Sequence, residues 1–497
     1  MHKKVLLISI LIVPIIFFGF GNCMDSSRPE IESTTIWQNY DHYKEPAIKN
    51  RMFKHGEIIP LIQKHIDSKV FTSSILGNSV QGRSINLLTI GKGKTKVLLW
   101  SQMHGDESTA TMALFDIFNF FSVSDENDEF RKFLTDNLEM NFLPMLNPDG
   151  AEAWKRRGAL DIDINRDARL LNTPEGRILT QIANKIKPQF GFNLHDQSTL
   201  YSAGATKNQA TISFLAPTYN YSKDMNQVRE NATKLIVLMN RTLQKYAPDK
   251  VAKYNDDHDP RCFGDTFQGK GISTILIESG GYPKDLEKQY IRKLNFYVIL
   301  SSLNAIANKS YEKEAIKDYA AIPENNRFLY DLVVRNAMVT KGNVKFRANL
   351  GINRSQIVDA DKRSMSYFGR IEELSDMDKN YGYDEADAST LVSVPGKIKM
   401  LKKAEWEKMN LAAETELVKE GYLFVRFSDQ KSPTGPVKNR LLNLTNNSIP
   451  QNNQPIGLGN AANFILSADD KPVFAVVNGF LVDLTKDVAA LPNSYGF

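Results

Sequence analysis

Cysteine is nearly absent from this 497-residue chain, which has only Cys23 and Cys262. Cys23 stands directly after an apolar stretch and reads as a bacterial-type lipid attachment site, the first residue of the mature protein. With Cys23 used in that way no internal disulfide can form, and stability in an oxidising compartment must come from a large core. A membrane-length apolar run is lacking at the N-terminus. The stretch Val5–Phe18 follows His2, Lys3 and Lys4 and falls short of the about 20 residues of a typical span. With Gly19 and Gly21 ahead of Cys23, it predicts a secretory signal peptide over residues 1–22. The expected location is across the inner membrane, periplasmic or at the cell surface, touching membrane only through a lipid on Cys23. Charge of one sign is not in large excess: the net charge is +5, and Lys3 and Lys4 belong to the targeting segment. There is no basic stripe with interleaved aromatics, which argues against nucleic acid as a partner. Histidine is scarce too, with seven residues and none beyond His258.

What is present is ordinary globular protein, long enough for two or three domains. Residues 23–50 are polar and mixed, a tether and entry segment. From 51 to 310, strand and helix patterns alternate. Leu61, Ile62 and Ile66 mark a short helix. Ser74–Gly77 and Ser84–Ile90 flank a turn, and Lys96–Trp100 is a buried strand followed by an amphipathic helix over Thr109–Phe121. Leu138–Leu146 is a strand ending in the turn Asn147-Pro148-Asp149-Gly150. Helices are expected at Glu175–Ile186, Asn226–Tyr246 and Leu286–Ala307, and strands at Phe190–Leu194, Thr211–Leu215 and Thr274–Ile277. This alternation predicts an α/β fold, a mixed but mostly parallel sheet flanked by helices. Residues 311–327 read as a linker. Beyond them, 328–497 carries short β patterns and one substantial helix, Lys402–Glu420, which predicts a second, smaller β-rich domain. Asn443–Gln454 reads as an exposed Asn-rich loop.

Chemistry concentrates at Met103-His104-Gly105-Asp106-Glu107, where the Val97–Trp100 strand gives way to a helix. Imidazole and carboxylate are both zinc ligands, and a three-residue separation across a turn lets both face one ion. Glu107 also suits a helix N-terminus, where the dipole favours a carboxylate; the two readings are compatible. His195 follows a strand and would reach the same sheet edge. Three further segments accompany them: Asn147-Pro148-Asp149-Gly150, Arg156 with Asp163-Ile164-Asn165-Arg166-Asp167, and Thr274-Ile275-Leu276-Ile277-Glu278-Ser279.

In order and spacing these five motifs, over roughly Arg51–Lys309, resemble the zinc carboxypeptidase family of carboxypeptidase A-like metallopeptidases. The resemblance implies one Zn2+ per chain held by His104, Glu107 and His195, with water in the fourth position. It implies Glu278 as the general base that takes the proton of that water and passes it to the leaving amine. Arg156 would stabilise the oxyanion, although a shift to Arg157 stays open, and Asn165 and Arg166 would grip the substrate's terminal carboxylate. Asp167 is placed to orient Arg166. The family's mobile tyrosine has a poor counterpart in Tyr254, within the acidic stretch Tyr254–Asp259. Arg261, Phe263 and Asp265 stand where the family shapes its side-chain pocket, and Gly264-Asp265-Thr266 reads equally as an Asx-type turn.

Leu329–Ala337, Gly369–Leu374 and Asn463–Val482 resemble strands of the accessory β-sandwich of amidohydrolases, without the barrel and without its histidines. The expected activity is therefore a secreted zinc metallocarboxypeptidase acting on a peptide or peptide-like substrate with a free carboxylate. The alternatives are an amide deacylase or cell-wall peptide hydrolase, and a non-catalytic surface binding protein on a peptidase fold.

Overall fold

Strand Thr95–Ser101 shows why the first unit folds as a layered sheet: its residues alternate between two separate cores. Val97 and Leu99 join one cluster, with Met112, Phe115 and Phe296. Leu98 and Trp100 join the other, with Leu179, Phe263 and Phe267. A strand buried on both faces must lie inside a sheet covered by helices on each side. The computed structural model describes residues 33–359, 364–433, 435–437, 440–446, 456–492 and 494–496. The apolar N-terminal stretch, Cys23 and most of the Asn-rich segment lie outside the described residues.

Nine strands belong to the first unit: β1 (Thr72–Asn78), β2 (Ser84–Ile90), β3 (Thr95–Ser101), β4 (Leu138–Leu143), β5 (Phe190–Asp196), β6 (Ser202–Ala203), β7 (Ile212–Leu215), β8 (Val251–Lys253) and β9 (Ser273–Ser279). Eight of them form one sheet in the order β1-β2-β4-β3-β5-β9-β7-β8. Its centre, β4-β3-β5-β9, is parallel. The pair β1 and β2 continues it in antiparallel fashion, and β7 runs antiparallel to β9. The expected mixed, mostly parallel α/β sheet flanked by helices is what the structure contains, followed by a second, β-rich region.

Several local expectations need correction. The helix Thr109–Ser122 is not amphipathic in use: every residue from Thr109 to Phe121 is buried. It lies between the sheet and the helices His55–Asp67 and Gln289–Asn308, so its polar Asp116 is paired internally with Arg292. Asn147–Gly150 is not a free turn but the start of a helix, Pro148–Ala153. The Asn147 side chain accepts from the Gly150 amide at 2.9 Å, and Pro148 takes the first helical position. The segment 315–327 is not a plain connector. It carries the helix Ile316–Ala320, buries Ile322 in the first unit's core and pairs Asn325–Asn326 with β6.

In the β-rich region, seven strands run in the order Ser364–Ser375, Val344–Asp359, Leu329–Lys341, Val392–Pro395, Phe464–Ala468, Lys471–Val477 and Phe480–Asp483, with Tyr381–Asp387 parallel to Leu329–Lys341. The single expected helix is two, Lys403–Lys408 and Leu411–Lys419, because Asn410 caps the second by accepting from the Ala413 amide. Asn443 is not on an exposed loop. It is fully buried and hydrogen-bonds Asn463 at 3.0 Å and Asn478 at 2.7 Å. Among the described residues no helix is long and apolar enough to cross a membrane.

Candidate metal centre

The centre lies at the C-terminal ends of the parallel strands, where ligands bind in such sheets. Strand β3 stops at Gln102, whose left-handed backbone (φ 50°) turns the chain and whose side-chain amide donates to the Gly105 carbonyl at 2.8 Å. Gly105 passes so close to Gly150 that an added Cβ would sit 1.9 Å from its carbonyl carbon, so only glycine permits this turn. The turn delivers His104 and Glu107 to the sheet edge just ahead of the helix. His195 is the sixth residue of β5 rather than a residue beyond it, and it pairs in register with Glu278 on β9. Paired residues of neighbouring strands share a face, so His195 and Glu278 serve the same cleft.

His104, Glu107 and His195 offer donor atoms that all lie within 4.8 Å of one another. Glu107 Oε1 is 2.8 Å from His104 Nδ1, Glu107 Oε2 is 2.7 Å from His195 Nδ1, and the two Nδ1 atoms are 3.2 Å apart. The far nitrogen of His104, Nε2, lies 3.0 Å from Asp163 Oδ1. Two imidazoles and a carboxylate, with one imidazole backed by a second carboxylate, form a donor set suited to zinc with an open position. His55, His65 and His258 instead bond Ser84, Ser122 and Asp265.

The electrostatics follow from this packing. Burial pulls the His104 imidazole down, but the Glu107 carboxylate and the bond to Asp163 outweigh it and push it up to about 9. Burial pushes Glu107 up, yet His104 and His195 hold it well below the usual carboxylate range. Burial keeps His195 below its ordinary value. Glu278 moves the other way: burial first, then the charge of Glu107, push it well above the carboxylate range. Its Oε2 has no hydrogen-bond partner among the described residues.

Of the two adjacent arginines, Arg156 is the one at the centre. Its Nη1 lies 3.0 Å from His104 Nδ1 and 3.1 Å from Glu107 Oε1, while Nε donates to Asp163 at 3.1 Å. Arg157 reaches outward to the Asp161 carbonyl. Asn165 spans the cleft floor, its Nδ2 3.5 Å from His195 Nε2 and its Oδ1 accepting from the Phe263 amide. Arg166 stands at the mouth, partly exposed. Asp167 does not orient it, because that carboxylate accepts from the amides of Asn172 and Thr173 and from the hydroxyl of Thr173, the residue that caps the next helix. The acidic partner of Arg166 is Asp259, at 3.5 Å.

These residues surround a cleft of about 450 Å³ that also takes in Tyr201, Tyr254 and Asp265. Tyr254, a poor match by sequence, is therefore part of the site; burial and the Glu278 charge push its hydroxyl up. Asp265 lies in the helix Phe263–Gly269 rather than in an Asx turn, and its Oδ1 is engaged by Thr218 and His258. Phe263 is core, and Arg261 is exposed and paired with Asp259. Burial pushes the Cys262 thiol up to about 12, so it stays protonated and unreactive at neutral pH.

Sequence reasoning assigned no role to Asp163, Asp196 or Asp259. Asp163 was visible as the first residue of Asp-Ile-Asn-Arg, and Asp196 as the neighbour of His195. Asp196 accepts from Thr109 Oγ1 at 2.5 Å and from Lys288 Nζ at 2.9 Å, tying the ligand-bearing strand to two helix starts.

The family model described as zinc carboxypeptidase matches residues 61–259, the part of the chain that holds His104, Glu107, Arg156, Asn165, Arg166 and His195. Over that stretch the resemblance to the zinc carboxypeptidase family is established, and this is a zinc-dependent family that binds peptide substrates with a free carboxylate. Among curated proteins, an uncharacterized protein of Zymomonas mobilis is 24% identical over 189 residues, covering 37% of this chain and 46% of that protein. A carboxypeptidase of Arabidopsis thaliana is 26% identical over 106 residues, covering 20% of this chain and 22% of that protein. The chain thus spans less than half the length of either. Among solved structures, a metallo-carboxypeptidase from Burkholderia cenocepacia aligns with a TM-score of 0.44 at 16% identity, covering 52% of this chain and 70% of that one.

Proposed function

We propose that this protein is a zinc-dependent metallocarboxypeptidase that hydrolyses a peptide bond beside a free C-terminal carboxylate. The observation that carries this reading is the convergence of His104, Glu107 and His195 with an unpartnered Glu278 oxygen in one cleft whose mouth holds Arg166. His104, Glu107 and His195 would hold zinc, which when bound supplies Lewis acidity toward the scissile carbonyl and the attacking water. Glu278, with its raised proton affinity, takes a proton from the attacking water and gives it to the departing amine nitrogen as the C–N bond breaks. Arg156 carries positive charge next to the ligand set and stabilises the oxygen on which negative charge develops. Asn165 and Arg166 hold the substrate carboxylate, with the planar guanidinium fork matching its two oxygens. For the N-terminal segment the proposal is a signal peptide ending at Asn22 and a protein that acts outside the inner membrane, lipid-anchored through Cys23.

Two experiments test the site. In the first, zinc affinity is measured by competition with a chromophoric chelator for the natural sequence and for Asp163→Asn. Loss of the carboxylate behind His104 is expected to weaken zinc by about 10–100-fold. An unchanged affinity rules out Asp163 as the residue that orients His104. In the second, blocked dipeptides with free and amidated C-termini are compared. The free acid is expected to be preferred by about 10–100-fold, the worth of a charge-assisted hydrogen bond, and the preference should vanish in Arg166→Ala. Equal rates on both ends in the natural sequence would remove the carboxylate anchor from the reading.

A further inference from the structure

Next to the metal centre, a second cavity of about 710 Å³ opens between the two units. It is continuous with the first: Glu107, Arg156, Asp196, Gln197 and Ser198 line both. Its far wall belongs to the β-rich unit and includes Arg354, Tyr367, Tyr383 and Phe480. The junction is closely built. The Tyr383 hydroxyl donates to the Thr199 carbonyl at 2.5 Å, and it comes so near Gly281 that a Cβ there would lie 2.1 Å from it. Arg51 of the first unit reaches Gln356 of the second at 3.5 Å. Arg354 is neutralised by Asp331 at 3.0 Å and lies over the Phe480 ring at 4.2 Å.

We propose that this cavity receives the part of a peptide substrate upstream of the scissile bond, so that the enzyme acts on oligopeptides and the β-rich unit supplies half of the upstream subsite. The proposal rests on the carboxypeptidase reading of the metal centre and adds the substrate class. The cavity's apolar wall is formed by Tyr282, Leu286, Tyr367 and Phe480, drawn from both units, and Leu286 is 39% exposed. Two ion pairs on the walls, Arg354 with Asp331 and Lys288 with Asp196, are internal to the protein, while Lys284 and Asp384 stand at exposed positions of the lining. The apolar wall therefore favours upstream residues with apolar or aromatic side chains. A second unit that forms a wall of the cleft also accounts for the short distances across the junction.

The test uses the full mature chain, zinc-loaded, in a Glu278→Gln background, so that binding is read without turnover. Dissociation constants are measured by calorimetry for an N-acetylated dipeptide and for an N-acetylated pentapeptide with the same last two residues and leucine or phenylalanine upstream. The pentapeptide is expected to bind at least about 10-fold more tightly, the effect of burying one apolar side chain. A pentapeptide with glutamate and lysine upstream should gain less. The gain should fall in Phe480→Ala and in Leu286→Glu, the latter at an exposed position whose substitution does not disturb the core. A dipeptide and pentapeptide of equal affinity, or a gain that survives both substitutions, overturns the upstream subsite and leaves the metal centre's reading standing. Failure of either peptide to bind overturns the carboxypeptidase reading, and this proposal with it.

Discussion

Glu278→Gln is expected to lower kcat/KM on a blocked dipeptide by about 10²–10⁴-fold, the range for a removed general base, with zinc content unchanged. Glutamine has nearly the same shape, so β9 and its pairing with β5 should stay in register, and none of the three metal donors is altered. What disappears is the proton acceptor. In the structure that acceptor is prepared in two ways: Oε2 has no competing hydrogen bond from the described residues, and burial together with the Glu107 charge pushes the carboxyl's pKa well above the usual range. A base with a raised pKa holds its proton to higher pH and loses it as pH rises. Activity that depends on the ionised form must therefore climb with pH, and its acid limb should vanish in Glu278→Gln. Zinc is quantified by atomic absorption alongside the rates. A variant that keeps its zinc and loses less than about twofold in rate would assign the base to another group.

The parts of the site that could be read from sequence share one property: each sits at the end of an element whose pattern is strong. The apolar run of β3 and the helical spacing after it locate His104 and Glu107. The runs Phe190–Leu194 and Thr274–Ile277 locate His195 and Glu278. Parallel neighbours then bring these ends together without further information. The parts that were missed depend on where the chain returns in space. Asp163 meets His104 across 59 residues of sequence, and Asp259 meets Arg166 only because the segment after β8 folds back over the cleft mouth. Tyr254 was discounted for its acidic surroundings, yet within that stretch Asp259 pairs with Arg166 at the mouth, and Asp256 ties the segment to the buried Arg229 at 2.8 Å. The short helix Phe263–Gly269 escaped notice because its seven residues begin and end near glycine and show no full apolar period. The amphipathic reading of Thr109–Phe121 failed for a tertiary reason. A helix covered on all sides needs no polar face, and its polar residues are then free to serve as internal anchors.

One of those anchors carries the largest expected stability effect. Asp116 and Arg292 are both fully buried, 176 residues apart, with the guanidinium Nε 2.7 Å and Nη2 2.5 Å from the two carboxylate oxygens. Arg292 also donates to the carbonyls of Ile48 and Glu45, while Asp116 accepts from the Tyr40 hydroxyl and the Glu45 amide, each at 2.8 Å. The pair therefore pins the entry segment, with Tyr40, Tyr43 and Ile48, onto the core helices. Arg292→Ala leaves Asp116 as an uncompensated buried charge and strands two carbonyls, so a loss of about 3–5 kcal/mol is expected. For a unit of this size that is a fall of roughly 10 °C in Tm, read by calorimetry at fixed zinc concentration. Burial already pushes the Asp116 carboxyl up, so once the arginine is gone the carboxyl should be protonated in the folded state at higher pH than in the unfolded chain. The defect should then be smaller in acid and larger as pH rises, the sign for a group whose folded pKa lies above its unfolded value. The double replacement Asp116→Leu with Arg292→Met removes both charges and should recover most of the loss, because the penalty comes from the orphaned ion and not from the missing attraction. A double variant as unstable as Arg292→Ala would show instead that the backbone contacts to Ile48 and Glu45 hold the entry segment.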